Sequence, residues 1–369
     1  MNQVTSTITL ILLLLTFVNQ GYSQDNSSIS LTSKLSLKGY IEAYYGYDFS
    51  PPENNRRPDF LNNHTQHNKF SVNTGILGLN YEGTFLRSNL SFILGSYQKQ
   101  NLANEPKFLN HVYEMNVGFK LLKNHELWLD FGIMESNMGF ESIRGIESYT
   151  LSRSLMAESS PYYLNAAKLS FITVNKKWDF EVLFSNGWNQ MVDGYPSFGH
   201  TVKYKPNENL LINSSSFIGR VQLPGIVPML TRREFRILHD LYAKYEKGKI
   251  GIIGGVDFGF DQLVENTADN GSWVGATGIF QYRFHPNWAA SFRAEYFLDP
   301  SNSVASMQDV KGFENIGASL NIDYHWGKIA MVRIEGRLLS GKEEHYLIDS
   351  APSRNNIYAG ASLILNLWR

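Results

Sequence analysis

Cysteine is absent from the 369 residues. The chain therefore has no disulfide framework and no thiol chemistry, and it must be stable without cross-links in whatever compartment it occupies. Long apolar runs are missing too. Beyond the first two dozen residues nothing approaches the ~20 consecutive apolar residues of a membrane-spanning helix, which excludes a helical inner-membrane protein. No single sign of charge prevails, with 33 basic against 34 acidic residues. That balance argues against a general nucleic-acid binder. Low-complexity tracts, linkers and breaks in composition are also lacking, so a single domain is the simpler reading.

At the amino end, the apolar core from Ile8 to Val18 is too short to span a bilayer but has the length of a signal-peptide h-region. The region before it contains no Lys or Arg, leaving the terminal amine as its only positive charge. Gly21 and Ser23 supply the small-x-small pattern, so cleavage is expected after Ser23, with 24–34 as a periplasmic segment and 35–369 as the working domain. Aromatic content of 14% with 30 glycines and a mean hydropathy of -0.25 is a mixed signature. An outer-membrane β-barrel reconciles it, because alternate residues face lipid and water and cancel in the average.

From Leu35 to Phe49 the alternation is sustained. One face carries Leu35, Leu37, Ile41, Ala43, Tyr45 and Tyr47, and the other Ser36, Lys38, Tyr40, Glu42, Tyr44 and Asp48. This run exceeds the roughly 5–6 residues of a typical soluble strand and suits one that crosses a bilayer, which needs about 9–11. About sixteen such segments follow one another to Trp368, predicting an all-β, antiparallel up-and-down transmembrane barrel. The connections alternate between short turns, such as Glu82-Gly83-Thr84 and His285-Pro286-Asn287, and long polar stretches, such as Ser50 to Asn68 and Gln98 to Asn110. Short periplasmic turns and long extracellular loops are the two rims of such a barrel. All 12 prolines fall in or beside an expected connection, as their missing N–H requires. Trp128, Trp178, Trp288, Trp326 and Trp368 fall near the short-turn rim and Trp188 and Trp273 near the other, as expected for aromatic girdles.

The longest segment without alternation, Met134 to Leu164, is expected to fold inward and narrow a water-filled lumen, since about sixteen strands leave an aqueous channel. Alternation on the thirteenth and fifteenth strands sends Arg293, Glu295, Arg333, Glu335 and Arg337 inward, because Arg or Lys facing lipid near the midplane costs about 2–4 kcal/mol. Two readings remain open. The three arginines form a basic wall opposite Glu135, Glu141, Glu147 and Glu158 of the long loop, which also carries Arg144 and Arg153, giving a crossed field that selects solutes. Alternatively, Arg and Glu on neighbouring strands simply satisfy one another. Gly251, Gly254 and Gly255 mark either a contact between barrels or a point where curvature is relieved.

Other constellations are weaker. His64 and His67 lack a third metal ligand, and a solvated polar loop is the simpler reading. His239 and Asp240 point to opposite faces of one strand, and no nucleophile, base and orienting acid are fixed by motif, so no enzyme, cofactor or metal is expected.

Several fragments resemble the β-barrel porin family described as OmpL-like: Gly139-Phe140-Glu141-Ser142-Ile143, Ser152-Arg153-Ser154-Leu155 with Pro161-Tyr162, Asn186-Gly187-Trp188, and Arg293-Ala294-Glu295-Tyr296-Phe297 with Asp299. The resemblance covers most of the chain beyond the signal sequence and implies an outer-membrane channel of unspecified substrate, with no catalytic residues to carry over. Outer-membrane barrels usually end on an aromatic residue, whereas here Arg369 follows Trp368. The expected function is passive diffusion of small hydrophilic solutes or ions. The alternative is an occluded structural barrel whose external loops bind a partner. Expected partners are outer-membrane lipid and lipopolysaccharide, the solutes themselves and a possible homo-oligomer, with no nucleic acid.

Overall fold

The structure is a computed structural model that describes residues 34–50, 55–223, 232–263, 270–304, 312–344, 346–348 and 351–368. The expected signal peptide and Arg369 lie outside the described residues. Sixteen strands close into one antiparallel barrel. They are β1 (Leu35–Asp48), β2 (Lys69–Glu82), β3 (Leu86–Leu94), β4 (Val112–Lys120), β5 (Glu126–Glu135), β6 (Tyr163–Ile172), β7 (Trp178–Ser185), β8 (Ser197–Asn207), β9 (Leu210–Leu223), β10 (Arg232–Lys247), β11 (Ile250–Leu263), β12 (Asn270–His285), β13 (Trp288–Asp299), β14 (Phe313–Trp326), β15 (Ala330–Gly341) and β18 (Asn355–Asn366). Each strand pairs with its sequence neighbours. The ring closes where β1 meets β18, with Tyr44 opposite Ser362. A two-stranded hairpin, β16 (Tyr346–Ile348) and β17 (Ala351–Ser353), stands apart in the last long connection.

Closure leaves no unpaired edge within the membrane, which a spanning sheet requires. Alternation then sorts the side chains. On β14 the outward Ile316, Leu320 and Ile322 are exposed to the bilayer, while the inward Asn315, Ser319, Asn321 and Asp323 are buried in the interior.

The structure differs from the sequence reading at several points, each with a local cause. The third strand stops at Leu94, and a short helix, α1 (Ser96–Asn101), replaces its expected continuation to Tyr97. Between them Gly95 takes φ 126°, and a Cβ there would come within 2.4 Å of the Asn73 carbonyl oxygen, so the turn accepts only glycine. Pro206 falls inside β8 rather than in a connection. It occupies an irregularity between Tyr204 and Asn207 where the ladder slips register, so its missing N–H is not needed. Pro352 belongs to β17. Strand β9 runs on through Arg220 to Leu223.

The tryptophans lie near the expected rims but divide there by face. Trp178, Trp288 and Trp326 are exposed on the outer surface. Trp128 and Trp273 are buried inside, and Trp188 and Trp368 pack against interior clusters. Interior tryptophans are used by cations: Arg236 lies 4.6 Å from the Trp188 ring and 5.0 Å from Trp273, and Arg87 lies 4.4 Å from Trp128. Rim proximity in the sequence does not separate these cases, because one residue of parity exchanges lipid for lumen.

Replacing the outward Leu320 by arginine is expected to lower unfolding stability by about 2–4 kcal/mol, read from urea titration of protein refolded into bilayers. Unchanged stability in L320R would mean that this face does not meet lipid.

Candidate functional site

Between β5 and β6, residues 136–162 cross the barrel interior. A chain segment with little regular structure carries backbone groups that need partners once buried. Here the opposite wall provides them. Arg333 on β15 uses all five of its N–H donors: Nη1 donates to the carbonyls of Gly145 (2.9 Å) and Thr150 (2.8 Å), and Nη2 to Ser148 O (2.7 Å) and Asp323 Oδ2 (2.7 Å). Nε donates to Asp323 Oδ1 at 2.6 Å. Only arginine has a fork with that many fixed donors.

The neighbouring inward positions continue the attachment. Arg293 Nη1 donates to Ser152 O at 2.6 Å, and Nη2 lies 3.3 Å from Glu335 Oε1. Glu335 Oε2 accepts from the Ser152 amide (2.7 Å), Glu295 Oε2 from the Leu155 amide (2.7 Å) and Asn321 Oδ1 from the Leu151 amide (2.9 Å). Arg337 donates to Glu295 Oε1 through Nε (3.0 Å) and Nη2 (2.7 Å). All five wall residues named from the sequence are thus buried together against one stretch of loop, 145–155.

The loop's own charges fall into three places. Glu141 approaches Arg293 at 3.8 Å and accepts from the Ser154 amide at 3.0 Å. Ser154 in turn caps the short helix α2 (Leu155–Glu158), accepting from Ala157 N at 3.2 Å. Arg144 pairs with Glu147 at 2.8 Å, lies 3.9 Å from Glu135, and stacks over Trp368 at 4.2 Å. Arg153 and Glu158 form the third group. Arg153 lies over the rings of Tyr97 and Tyr162, while Glu158 accepts from the Asn62 amide of the first long loop at 2.8 Å. Burial pushes the Glu158 carboxyl above its ordinary range, opposed by the positive charge of Arg153. Of the four acids expected in the loop, Glu135 instead ends β5, and Glu141 alone comes within ion-pair distance of an arginine of the wall.

Two features missed in the sequence complete the anchorage. Asn321 and Asp323 follow the same inward parity on β14 as the arginines do on β15, so the alternation rule applied to that strand finds them. The glycines of β11 answer a question left open. A Cβ on Gly251 would lie 2.5 Å from Tyr149 Oη, and one on Gly255 would lie 2.9 Å from Phe140, so both make room for the crossing loop. Gly254 faces outward, with open space beside it.

The first long loop also turns inward. His64 and His67 are buried rather than solvated: His64 Nε2 lies 3.1 Å from Glu42, and His67 Nδ1 accepts from the Asp48 amide at 3.0 Å. Phe60 and Leu61 of this loop share one apolar cluster with Met138 and Leu155 of the crossing loop and with Phe217, Leu238, Phe297 and Leu339 of the wall.

The wall from β1 to β6 is different. A cavity of about 300 Å³ is lined there by polar side chains, among them Lys38, Asn89, Arg87, Asn116 and Lys168.

A family model described as "Putative beta-barrel porin-2, OmpL-like" matches residues 34–367. The chain belongs to this porin family. It is accordingly an outer-membrane barrel with short turns on the periplasmic side. Solved structures of the same fold include in-vitro folded OmpT of Vibrio cholerae in its trimer form, at 11% identity and TM-score 0.61, covering 90% of this chain and 98% of that one. The outer membrane channel DcaP of Acinetobacter baumannii matches at 10% identity and TM-score 0.58, covering 90% and 97%. The anion-selective porin from Comamonas acidovorans matches at 8% identity and TM-score 0.58, covering 90% and 99%. At such identities the likeness is one of fold. No curated protein matches the sequence.

Removing the Arg333 fork by R333M is expected to strip three loop carbonyls of their donors and leave Asp323 buried without its partner, a loss of about 3–5 kcal/mol. Limited trypsin digestion provides the check, since cleavage sites at Arg144 and Arg153 are shielded in the native porin. R333M should be cut there while the barrel stays intact on a gel, whereas resistance equal to the native protein would show that the fork does not hold the loop.

Proposed function

We propose that this porin is a passive channel for small hydrophilic solutes or ions, without enzymatic activity, and that the crossing loop 136–162 sets its narrowest section. The observation that carries this reading is the unequal treatment of the two walls. Arginines and acids on β13–β15 are consumed in holding the loop and one another, while the polar wall of β1–β6 keeps an open, polar-lined cavity. A loop fixed on one side narrows a lumen without abolishing it. In this reading Arg293, Glu295, Arg333, Glu335 and Arg337 act on passing solutes indirectly, by fixing the loop.

A second reading has its own support. The apolar cluster joining Phe60 and Leu61 to Met138 and Leu155 packs loop against loop inside the barrel, as an occluded barrel with partner-binding external loops would. Association of barrels into trimers, as in the trimer form of the Vibrio cholerae structure, suits either reading. Outer-membrane lipid, with lipopolysaccharide on the external side, is the surrounding partner expected for the outward aromatic residues Trp178, Trp288 and Trp326.

Planar-bilayer recording of refolded protein, before and after excision of Gly139 to Ser159, tests both. Stable openings that widen on excision are expected for a channel narrowed by this loop. Silence before excision with openings after it would favour the occluded barrel, and silence in both would overturn the channel reading.

A further inference from the structure

The cavity on the β1–β6 wall has a chemistry of its own. Three carboxamides form a continuous chain across it. Asn80 Nδ2 donates to Asn89 Oδ1 (2.9 Å), Asn89 Nδ2 to Asn116 Oδ1 (3.0 Å), and Asn116 Nδ2 to the Ile133 carbonyl (2.8 Å). Each amide in the chain spends one N–H along it and keeps a second, while the oxygens differ: Asn89 Oδ1 accepts from both Asn80 and Lys38, and Asn80 Oδ1 and Asn116 Oδ1 each accept one bond and keep a lone pair. Asn80, Asn89 and Asn116 are each partly exposed. The chain therefore presents a row of three N–H donors to the lumen at fixed spacing, with acceptor capacity at Asn80 and Asn116.

The charges around it are balanced and largely spent on one another. Lys38, Arg87 and Lys168 line the cavity against Glu82, Glu114 and Asp130, three of each sign. Lys38 Nζ lies 3.0 Å from Glu114 and donates to Asn89 Oδ1 at 2.7 Å. Arg87 holds Asp130 through two bonds, of 2.7 and 2.5 Å. Lys168 interacts electrostatically with Asp179 and Glu181 on the neighbouring strand. A wall of this kind has no net field with which to repay an ion for its lost hydration. Hydroxyl groups, each both donor and acceptor, match it without that cost.

We infer that this recess is a binding subsite for an uncharged, polyhydroxylated solute of monosaccharide size, held by the carboxamide chain of Asn80, Asn89 and Asn116. Its volume of about 300 Å³ lies at the small end of ligand pockets, which excludes long oligomers as occupants of the subsite itself. The inference names a solute class for the channel proposed above and rests on that reading for its physiological meaning, though the binding can be measured without any current.

The test is saturation-transfer NMR with methyl glucoside on the full-length protein refolded in micelles. Transfer to the sugar is expected from the native protein, with binding weakened about tenfold in the N89L/N116L double variant, which loses two sets of hydrogen bonds. If that variant fails to refold, as judged by heat-modifiable gel mobility, N116S provides the milder truncation and should weaken binding in the same direction. No transfer from the native protein, or displacement of the sugar by glycine or sodium sulfate at lower concentration than by glycerol, would overturn the assignment. Bilayer recording separates the two proposals: sugar binding by a silent barrel sinks the channel and keeps the subsite, whereas conductance without sugar binding does the reverse.

Discussion

A peptide segment can cross the inside of a barrel only if its amides and carbonyls find partners there, and this porin depends on how that demand is met. The crossing loop does not form a sheet with the wall; side chains reach out to it. Arg333 alone takes three carbonyls, and the carboxylates of Glu295 and Glu335 take two amides. Such an exchange also solves the wall's problem. A row of arginines with near-zero exposure would be costly if unpaired, and the backbone of the loop supplies neutral acceptors that acids on adjacent strands could not supply alone. Charge on the wall and irregular backbone in the lumen are therefore each the condition for burying the other.

The same logic explains where glycine and serine fall. Gly251 and Gly255 lie flat beneath Tyr149 and Phe140, so the loop rests against backbone on β11, where a side chain would hold it away. Ser152 is bonded at its amide, carbonyl and hydroxyl at once, to Glu335 and Arg293. A larger side chain at that point would separate Arg293 and Arg337, which both reach the Ser152 hydroxyl, from the chain they hold. Packing and electrostatics are thus set by a few positions where small residues let charged ones approach.

Strand number, closure and the inward direction of the five charged residues on β13 and β15 were legible in the sequence, because period-two alternation survives over the long strands that a bilayer demands. The placement of Trp128 and Trp273 was not, since nearness to a turn says nothing of parity. The inward fold of His64 and His67 was hidden for a different reason. Their partners, Glu42 and the Asp48 amide, lie on a wall whose polarity reads equally well as contact with water. The splitting of the loop acids into three groups depends on the path of the loop, which has no periodicity to read. Gly95 offered the clearest missed signal, a glycine at the point where an alternating run meets the polar Ser96-Tyr97-Gln98.

Two walls of one barrel have been put to different uses, and the difference follows from which groups remain unspent. On β13–β15 the arginine forks are committed to the loop and to acids of the wall, so that wall has rigidity but little capacity to meet a solute. On β2–β4 the carboxamide chain is satisfied along its length yet keeps a donor N–H at each step, and the ion pairs Lys38–Glu114 and Arg87–Asp130 flank it. Under the proposed function, a solute would meet a fixed surface on one side and an exchangeable one on the other, and hydrogen-bond pattern would select it, because the ionic side chains are largely paired with one another. The arginines that dominate the sequence pattern thus hold the crossing loop, and the groups left with spare donors lie on the opposite wall.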